Sequence, residues 1–278
     1  MAYLREWFVE LEGWRRTGDT ALASWILPRL TQPPGAVCGS APDGFPAYAR
    51  ICHPVPNVSG HSLTWRAVAE VTGTVAHPLM QWHALIGAVD PYARSSARWH
   101  GEAPAWGHLD GAASQRLSAA LQPHTRTTED SICAYWVGYT PATDGTVTAV
   151  WTGATGDTAP GPAAPLDPSE PPLCSPTPPL VAEAPDTLGV VHLPGRDYEL
   201  FTCPLVAMLG RGRSRQSPQL LWPADRAWCV ATEIDFDSTL VAGDQALIDD
   251  LLSSPGLDAW AVLPTDSLRH DADLINGR

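Results

Sequence analysis

The chain has 278 residues, and a hydrophobic content of 44% with 12 tryptophans predicts a folded globular protein with a sizeable core. Its net charge of −13 argues against binding to nucleic acid through a general electrostatic field, because phosphates would be repelled. All 17 basic residues are arginine, which excludes a Schiff-base lysine, a lysine general base and the lysine of a P-loop.

The amino-terminal sequence and the cysteines predict a cytoplasmic protein. Residues 1–16 interleave charged and aromatic residues and lack the apolar run of a signal peptide. No stretch of the chain approaches the 18 apolar residues of a membrane span, so we expect no membrane partner. The six cysteines form no CxxC pair, which is typical of reduced, structural thiols. We expect no cofactor.

Helices and strands are predicted throughout the first part of the chain, residues 1–153. In chain order they are a helix over 4–16, a strand over 45–54, a helix capped by Ser62 or Thr64 and ended by Gly73, a helix over 111–122 capped by Asp110, and a hairpin of 132–139 with 146–153. Side-chain oxygens at helix starts and glycine at a helix end are the signals used for the helices. Alternating apolar residues around a Thr-Asp-Gly turn indicate the hairpin.

A segment rich in proline and alanine, residues 154–187, interrupts this pattern. Its composition predicts an extended, disordered linker or insertion, with the remaining part of the chain at 188–278. After it come a strand pair at 188–194 and 196–203 around Gly195, a long strand at 228–237, a helix after Asp244 and a last strand near 258–264. This order predicts an α+β fold: one composite domain, a mainly antiparallel mixed sheet and three or four packing helices.

The strand at 228–237 is the most regular segment of the chain. Its residues alternate strictly, and one face ends in Glu233, Asp235 and Asp237, spaced about 7 Å apart along an ideal strand. Three carboxylates in a row repel one another unless cations lie between them, which suggests a site for Mg²⁺, Mn²⁺ or Ca²⁺ or an acid–base pair. A solvated strand face, or ion pairs with Arg196 and Arg226, is the alternative.

Four further residues just before that strand indicate an anion site. The residues are Trp222, Asp225, Arg226 and Trp228. An arginine between indoles can bind an anion through its bidentate fork while its plane stacks on a ring. The alternative is an internal clamp between Asp225 and Arg226 that orients the chain into the strand.

Other patterns give weaker hypotheses. Arg211, Arg213 and Arg215 form the one basic cluster, which could bind phosphate, RNA or an acidic protein, or could be a solvated loop. The nine histidines lack zinc-site spacing, and neither a GxSxG serine nor a cysteine–histidine pair supports a hydrolase. The segment from Trp99 to Trp106 has the polar, turn-rich context of a pocket or partner surface.

Several segments resemble an uncharacterised family of actinobacterial hypothetical proteins. They are FPAYARICHP, HTRTTEDSICAYWVGY, HLPGRDYELF and QSPQLLWPADRAWCVATEIDFDSTLVAG, which begin at Phe45, His124, His192 and Gln216. The resemblance implies a bacterial source and brings no activity or site residues.

Two functions follow from the sequence. The first is a non-catalytic cytosolic binding protein, with a protein or small-molecule partner recognised through aromatic and arginine side chains beside the acidic strand. The second is a divalent-metal-dependent hydrolase or transferase that uses Glu233, Asp235 and Asp237. The first is preferred because no catalytic set is complete. A concave pocket around the three carboxylates, with Arg226 and a histidine, would favour the second.

Overall fold

The computed structural model describes residues 15–57, 62–141, 147–149, 189–206 and 217–277. The predicted linker 154–187 and the arginines Arg211, Arg213 and Arg215 lie outside the described residues. Most of the predicted helix 4–16 lies outside them too, and its last two residues, Arg15 and Arg16, begin a strand instead.

The described chain is a mixed α/β structure dominated by antiparallel strands. The strands are β1 (Arg15–Thr17), β2 (Ala47–Cys52), β3 (Val55–Pro56), β4 (Ser62–Leu63), β5 (Ser131–Trp136), β6 (Tyr139–Pro141), β7 (Val147–Ala149), β8 (Val190–Leu193), β9 (Arg196–Cys203), β10 (Leu220–Pro223), β11 (Cys229–Ala231), β12 (Ser238–Gly243) and β13 (Asp258–Val262). The α-helices are α1 (Val37–Ser40), α2 (Trp65–Thr72), α3 (Trp82–Leu85), α4 (Gly111–Leu121) and α5 (Gln245–Ser253). No helix of the described part has the length and hydrophobicity to cross a bilayer.

Side-chain caps fix the starts of the three longer helices, as predicted. Thr64 Oγ1 accepts the Ala67 N–H at the start of α2, and this helix ends at Gly73 in the left-handed conformation (φ +71°). Asp110 and Asp244 cap α4 and α5 in the same way. Local hydrogen-bond chemistry is sufficient to specify these helix boundaries.

One antiparallel sheet joins strands from both parts of the chain. Its order is β1-β9-β5-β10-β11-β12-β2-β13, and β8 pairs with the first half of β9, whereas β1 pairs with its second half. The predicted pair around Gly195 is β8–β9, and Gly195 adopts φ +80° in the turn between them. Strands β10 to β12, which follow residue 188, lie between β5 and β2, which precede it.

One predicted strand pairing and one predicted strand differ in the structure. The hairpin partner of β7 is β6, while β5 pairs with β9 and β10 instead. The predicted strand 228–237 is wrong beyond Ala231: the chain turns at 232–237 and returns as β12, which pairs with β11. The turn is closed because the Phe236 N–H donates to the Glu233 carbonyl at 3.0 Å.

The two faces of the sheet carry separate cores. Leu221 and Val230 face a core covered by α4 and α5. The alternate residues of the same strands, such as Trp222 and Cys229, face a second core that contains Trp25 and Ile26. Beside β2, helices α2 and α3 enclose a third cluster, in which the indoles pack edge-on against one another. Successive residues along these strands therefore point into two different cores, and neither face of the sheet is exposed to solvent there.

We expect Trp222→Ala to lower the free energy of unfolding by about 3–5 kcal/mol, the usual cost of truncating a buried tryptophan. Trp222 is 1% exposed and packs edge-on against Trp25 at 6.1 Å. Urea denaturation measures the change. Trp106→Ala, at a tryptophan that is 46% exposed, is the control and should cost less than about 1 kcal/mol. Equal effects of the two substitutions would contradict the core position of Trp222.

Candidate functional site

The three carboxylates predicted to form a row do not share one environment. Glu233 and Asp235 both contact Arg196 Nη2, at 2.6 and 2.8 Å, and this guanidinium lies over the Trp136 ring. Asp237 instead faces Arg50 at 3.5 Å. Because the chain turns here, the spacing of two that aligns side chains on a strand no longer applies. Within the described ranges, no three His, Cys, Asp or Glu residues are grouped so that they could hold a metal ion.

The two tryptophans predicted to flank an anion site belong to the core. Trp222 and Trp228 are both essentially inaccessible. The exposed Arg226 lies over the ring of Trp25 at 5.5 Å and has φ +56°, a strained conformation for a residue with a side chain. Among the described residues, Arg226 therefore contacts the ring of one core tryptophan, and the predicted placement between two indoles is not formed.

Asp225 orients the turn before β11 without help from Arg226. Its carboxylate accepts the Arg126 N–H at 2.8 Å, the Thr125 hydroxyl at 2.9 Å and the Ala227 N–H at 3.2 Å. Burial alone would raise the pKa of this carboxyl, but the hydrogen bonds prevail and lower it. Asp225 is thus a turn-capping residue, and the predicted Asp225–Arg226 clamp is wrong.

A cavity of about 440 Å³ lies where the 232–237 turn meets strand β2 and residues 81–83, 91–94, 103–106 and 268–270. Its basic side chains are Arg50, Arg94, Arg269, His83 and His270, and its acidic ones are Asp235 and Asp237. Its aromatic side chains are Trp82, Tyr92, Trp106 and Phe236. The volume is typical of a small-molecule pocket, and a few charged groups among aromatic rings are the composition that such pockets have.

Arg50 forms the floor of the cavity. This residue of β2 is 1% exposed, and its guanidinium lies over the Trp65 ring at 5.4 Å. It donates to four groups: Ser238 Oγ (3.0 Å), the carbonyls of Pro78 (3.1 Å) and Met80 (2.7 Å), and Asp237 Oδ1 (3.5 Å). Since its donors are engaged with the protein, Arg50 supports the site and holds Asp237 in place.

The loop carrying Trp106 is held by two hydrogen bonds, one to His53 just after β2 and one to the 232–237 turn. The carbonyl of Ala105 accepts from His53 Nδ1 at 2.7 Å, which assigns the proton to that nitrogen and leaves Nε2 to accept from the Thr239 hydroxyl. The Gly107 N–H donates to the Phe236 carbonyl at 2.8 Å. Gly107 has φ +62°, and a Cβ there would lie 2.8 Å from the backbone of Ile234, so only glycine allows the loop to pack this closely.

A buried carboxylate anchors the carboxy-terminal segment that carries Arg269 and His270. Asp273 is 4% exposed; it contacts His77 Nε2 at 2.9 Å and accepts the Gln81 N–H at 3.2 Å. Because Gln81 immediately precedes α3, which begins with Trp82 and His83, one carboxylate holds two walls of the cavity together.

The ionisable side chains of the cavity differ in how strongly other groups of the protein stabilise or neutralise their charge. Burial raises the pKa of the Asp237 carboxyl, and the neighbouring Arg50 and Arg94 oppose that shift. Burial and then the nearby His270 lower the pKa of His83, which favours its neutral form. Arg94 donates to the Ala103 and Pro104 carbonyls only at 3.4 and 3.3 Å. Within the described ranges, neither Arg94 nor Arg269 has a carboxylate partner.

The cavity unites two of the predicted site residues with several that the sequence did not indicate. Asp235 and Asp237 line it, whereas Glu233 and Arg226 do not. Arg94, Arg269, His83 and His270 were not predicted because they come from distant segments without a local pattern. The one usable signal was the polar, tryptophan-bearing segment 99–106: its Ala103, Pro104 and Trp106 line the cavity, while Trp99 belongs to the core.

No family model, curated protein or solved structure gives a significant match to this chain.

We expect the stability of the protein to depend on pH through His53. Burial lowers the pKa of this imidazole from 6.5 to about 4. As the pH falls below 6.5 the unfolded chain binds the proton first, so the free energy of unfolding decreases until about pH 4, by up to about 3 kcal/mol. Urea denaturation between pH 7 and 4 measures this loss.

His53→Gln keeps a hydrogen-bond donor for the Ala105 carbonyl and removes the titratable imidazole. Its free energy of unfolding should fall less steeply than that of the wild type over the same pH range. His100→Gln, at an exposed histidine, controls for the substitution itself. Parallel pH curves for wild type and His53→Gln would show that His53 is not the cause.

We also expect Arg196→Gln to lower the free energy of unfolding by about 1–3 kcal/mol, because the partly buried Glu233 and its neighbour Asp235 would lose their shared cation. Thermal and urea denaturation measure the change, and Arg98→Gln at an exposed arginine is the control. If Mg²⁺, Mn²⁺ or Ca²⁺ at millimolar concentration raised the melting temperature of the wild type, the ion-pair assignment of this carboxylate pair would be wrong.

Proposed function

We propose that the protein binds a small organic molecule that carries an anionic group, in the cavity beside the 232–237 turn. The observation that carries this proposal is the pair Arg94 and Arg269, two guanidinium groups that line the cavity and have no carboxylate partner among the described residues. A guanidinium presents a planar fork of donors that matches a carboxylate or phosphate.

The walls of the cavity support an aromatic or partly apolar ligand. Tyr92 and Trp106 are 73% and 46% exposed, so large apolar surfaces are available to a bound molecule. The indole Nε1–H of Trp82, also in the wall, is buried and has no acceptor in the described part of the chain. Buried donors without a partner are rare in folded proteins, and a bound ligand or water is one way to satisfy them.

The alternative of a divalent-metal hydrolase has less support. Two of its three carboxylates, Glu233 and Asp235, share Arg196, and a metal ion would have to displace that guanidinium. Binding without catalysis is therefore the function we propose, with a small molecule and not a nucleic acid as the partner.

We infer also that the described parts make up one composite domain. The support is the strand order, in which β5, β10, β11, β12 and β2 are adjacent although they come from both sides of residues 150–188. Separate expression of 1–153 and 188–278 should yield unfolded chains, because each would lack neighbouring strands of the sheet.

Calorimetric titration tests the binding proposal with four probes: benzoate, 3-phenylpropanoate, phenyl phosphate and L-phenylalanine. We expect at least one to bind the wild type and raise its melting temperature. Arg94→Gln and Arg269→Gln should each weaken that binding by about 10- to 100-fold, the usual loss of a charged hydrogen bond. Arg98→Gln, outside the cavity, should bind like the wild type.

Failure of all four probes to bind would refute the proposal. So would binding that Arg94→Gln and Arg269→Gln leave unchanged, since the anion would then be recognised elsewhere.

A further inference from the structure

We infer that the ligand is an aromatic α-amino acid or a close derivative, with its amino group on Asp237, its carboxylate on Arg94 and its ring among the aromatic walls. The inference rests on the proposed binding function and specifies the class of ligand.

Asp237 is the side chain of the cavity that can bind a positively charged hydrogen-bond donor of the ligand. Its side chain is 16% exposed, and it lines the cavity. In the described structure Arg50 is its one side-chain partner, at 3.5 Å, which is the outer limit of a hydrogen bond. A carboxylate has about four acceptor positions, so Asp237 retains the capacity to accept from a ligand.

Asp237 and Arg94, one of the two cations without a carboxylate partner among the described residues, lie at separate places in the same cavity. Arg94 is not within ion-pair distance of Asp237, yet its positive charge opposes the rise in the pKa of that carboxyl. A ligand that carried only an anion would bring a second negative charge towards Asp237 and would be repelled by it. A ligand with both an ammonium and a carboxylate group satisfies both side chains, which is the pairing that an α-amino acid offers.

The aromatic side chains in the remaining walls of the cavity favour a ligand with an aromatic ring. Phe236 immediately precedes Asp237 in the turn, Tyr92 lies two residues before Arg94, and Trp106 lies on the segment 103–106. Aromatic side chains at the edge of a pocket bind flat ligands through edge-on or offset contacts. The cavity volume of about 440 Å³ accommodates a molecule of this size.

Three ligands that differ in one group at a time test the inference on the full chain: L-phenylalanine, 3-phenylpropanoate, which lacks the amino group, and 2-phenylethylamine, which lacks the carboxylate. We expect calorimetry to give L-phenylalanine an affinity at least about tenfold above either analogue, because a site built for a polar group rejects the molecule without it.

Asp237→Asn should remove the preference for L-phenylalanine over 3-phenylpropanoate, and Asp249→Asn, on the exposed face of α5, should preserve it. Far-ultraviolet circular dichroism checks that the variants fold. If Asp237→Asn does not fold, the comparison of the three ligands on the wild type still decides the question.

Equal or tighter binding of 3-phenylpropanoate to the wild type would overturn the inference and leave the proposed binding of an anion intact. Equal binding of 2-phenylethylamine would overturn it by showing that the carboxylate contributes nothing. Absence of binding by all three, together with benzoate and phenyl phosphate, would refute the binding function itself.

Discussion

The contacts of one buried cation, Arg50, organise the structure around the cavity. Its strand β2 lies between β12 and β13, and its guanidinium is removed from water almost completely. A charge in such a place is costly unless its donors are satisfied, so the surrounding chain has to supply acceptors at fixed positions. Strand β12, the segment before α3 and the 232–237 turn each supply at least one.

The position of Asp237 follows from this requirement. The carboxylate neutralises part of the buried charge, and in return Arg50 opposes the pKa rise that burial causes in Asp237. The 3.5 Å separation is longer than that of a strong ion pair. Arg50 therefore fixes the position of the Asp237 carboxylate but leaves some of the acceptor positions of that carboxylate unused. A ligand site needs a group that is held in place and can still bind the ligand.

The elements that could be predicted from the sequence are those specified by neighbouring residues. The caps at Thr64, Asp110 and Asp244 and the turn at Gly195 depend on local hydrogen bonds or local backbone geometry, and these predictions are confirmed. The strand 228–237 was predicted from alternation alone. Alternation continues through the 232–237 turn, which contains no glycine, proline or asparagine; its aspartates favour a turn but also fit the alternating pattern.

The cavity could not be predicted in this way because tertiary contacts define it. Arg94 and Arg269 are 175 positions apart, and the segment that carries Arg269 is anchored by Asp273, which contacts His77 across 196 positions. Asp235 and Asp237 of the predicted row line the cavity, but the division of the three carboxylates between Arg196 and Arg50 is a property of the folded turn.

The overall charge of the chain bears on the ligand. With a net charge of −13 the protein repels small anions at long range, and salt screens this repulsion beyond about 10 Å. A simple anion would have to overcome the repulsion before it reached Arg94 and Arg269. A zwitterion has no net charge and experiences little of it, yet it can still form both charged contacts inside the cavity. An acidic chain with a cavity that contains both Asp237 and Arg94 is therefore better suited to a zwitterionic ligand than to a simple anion.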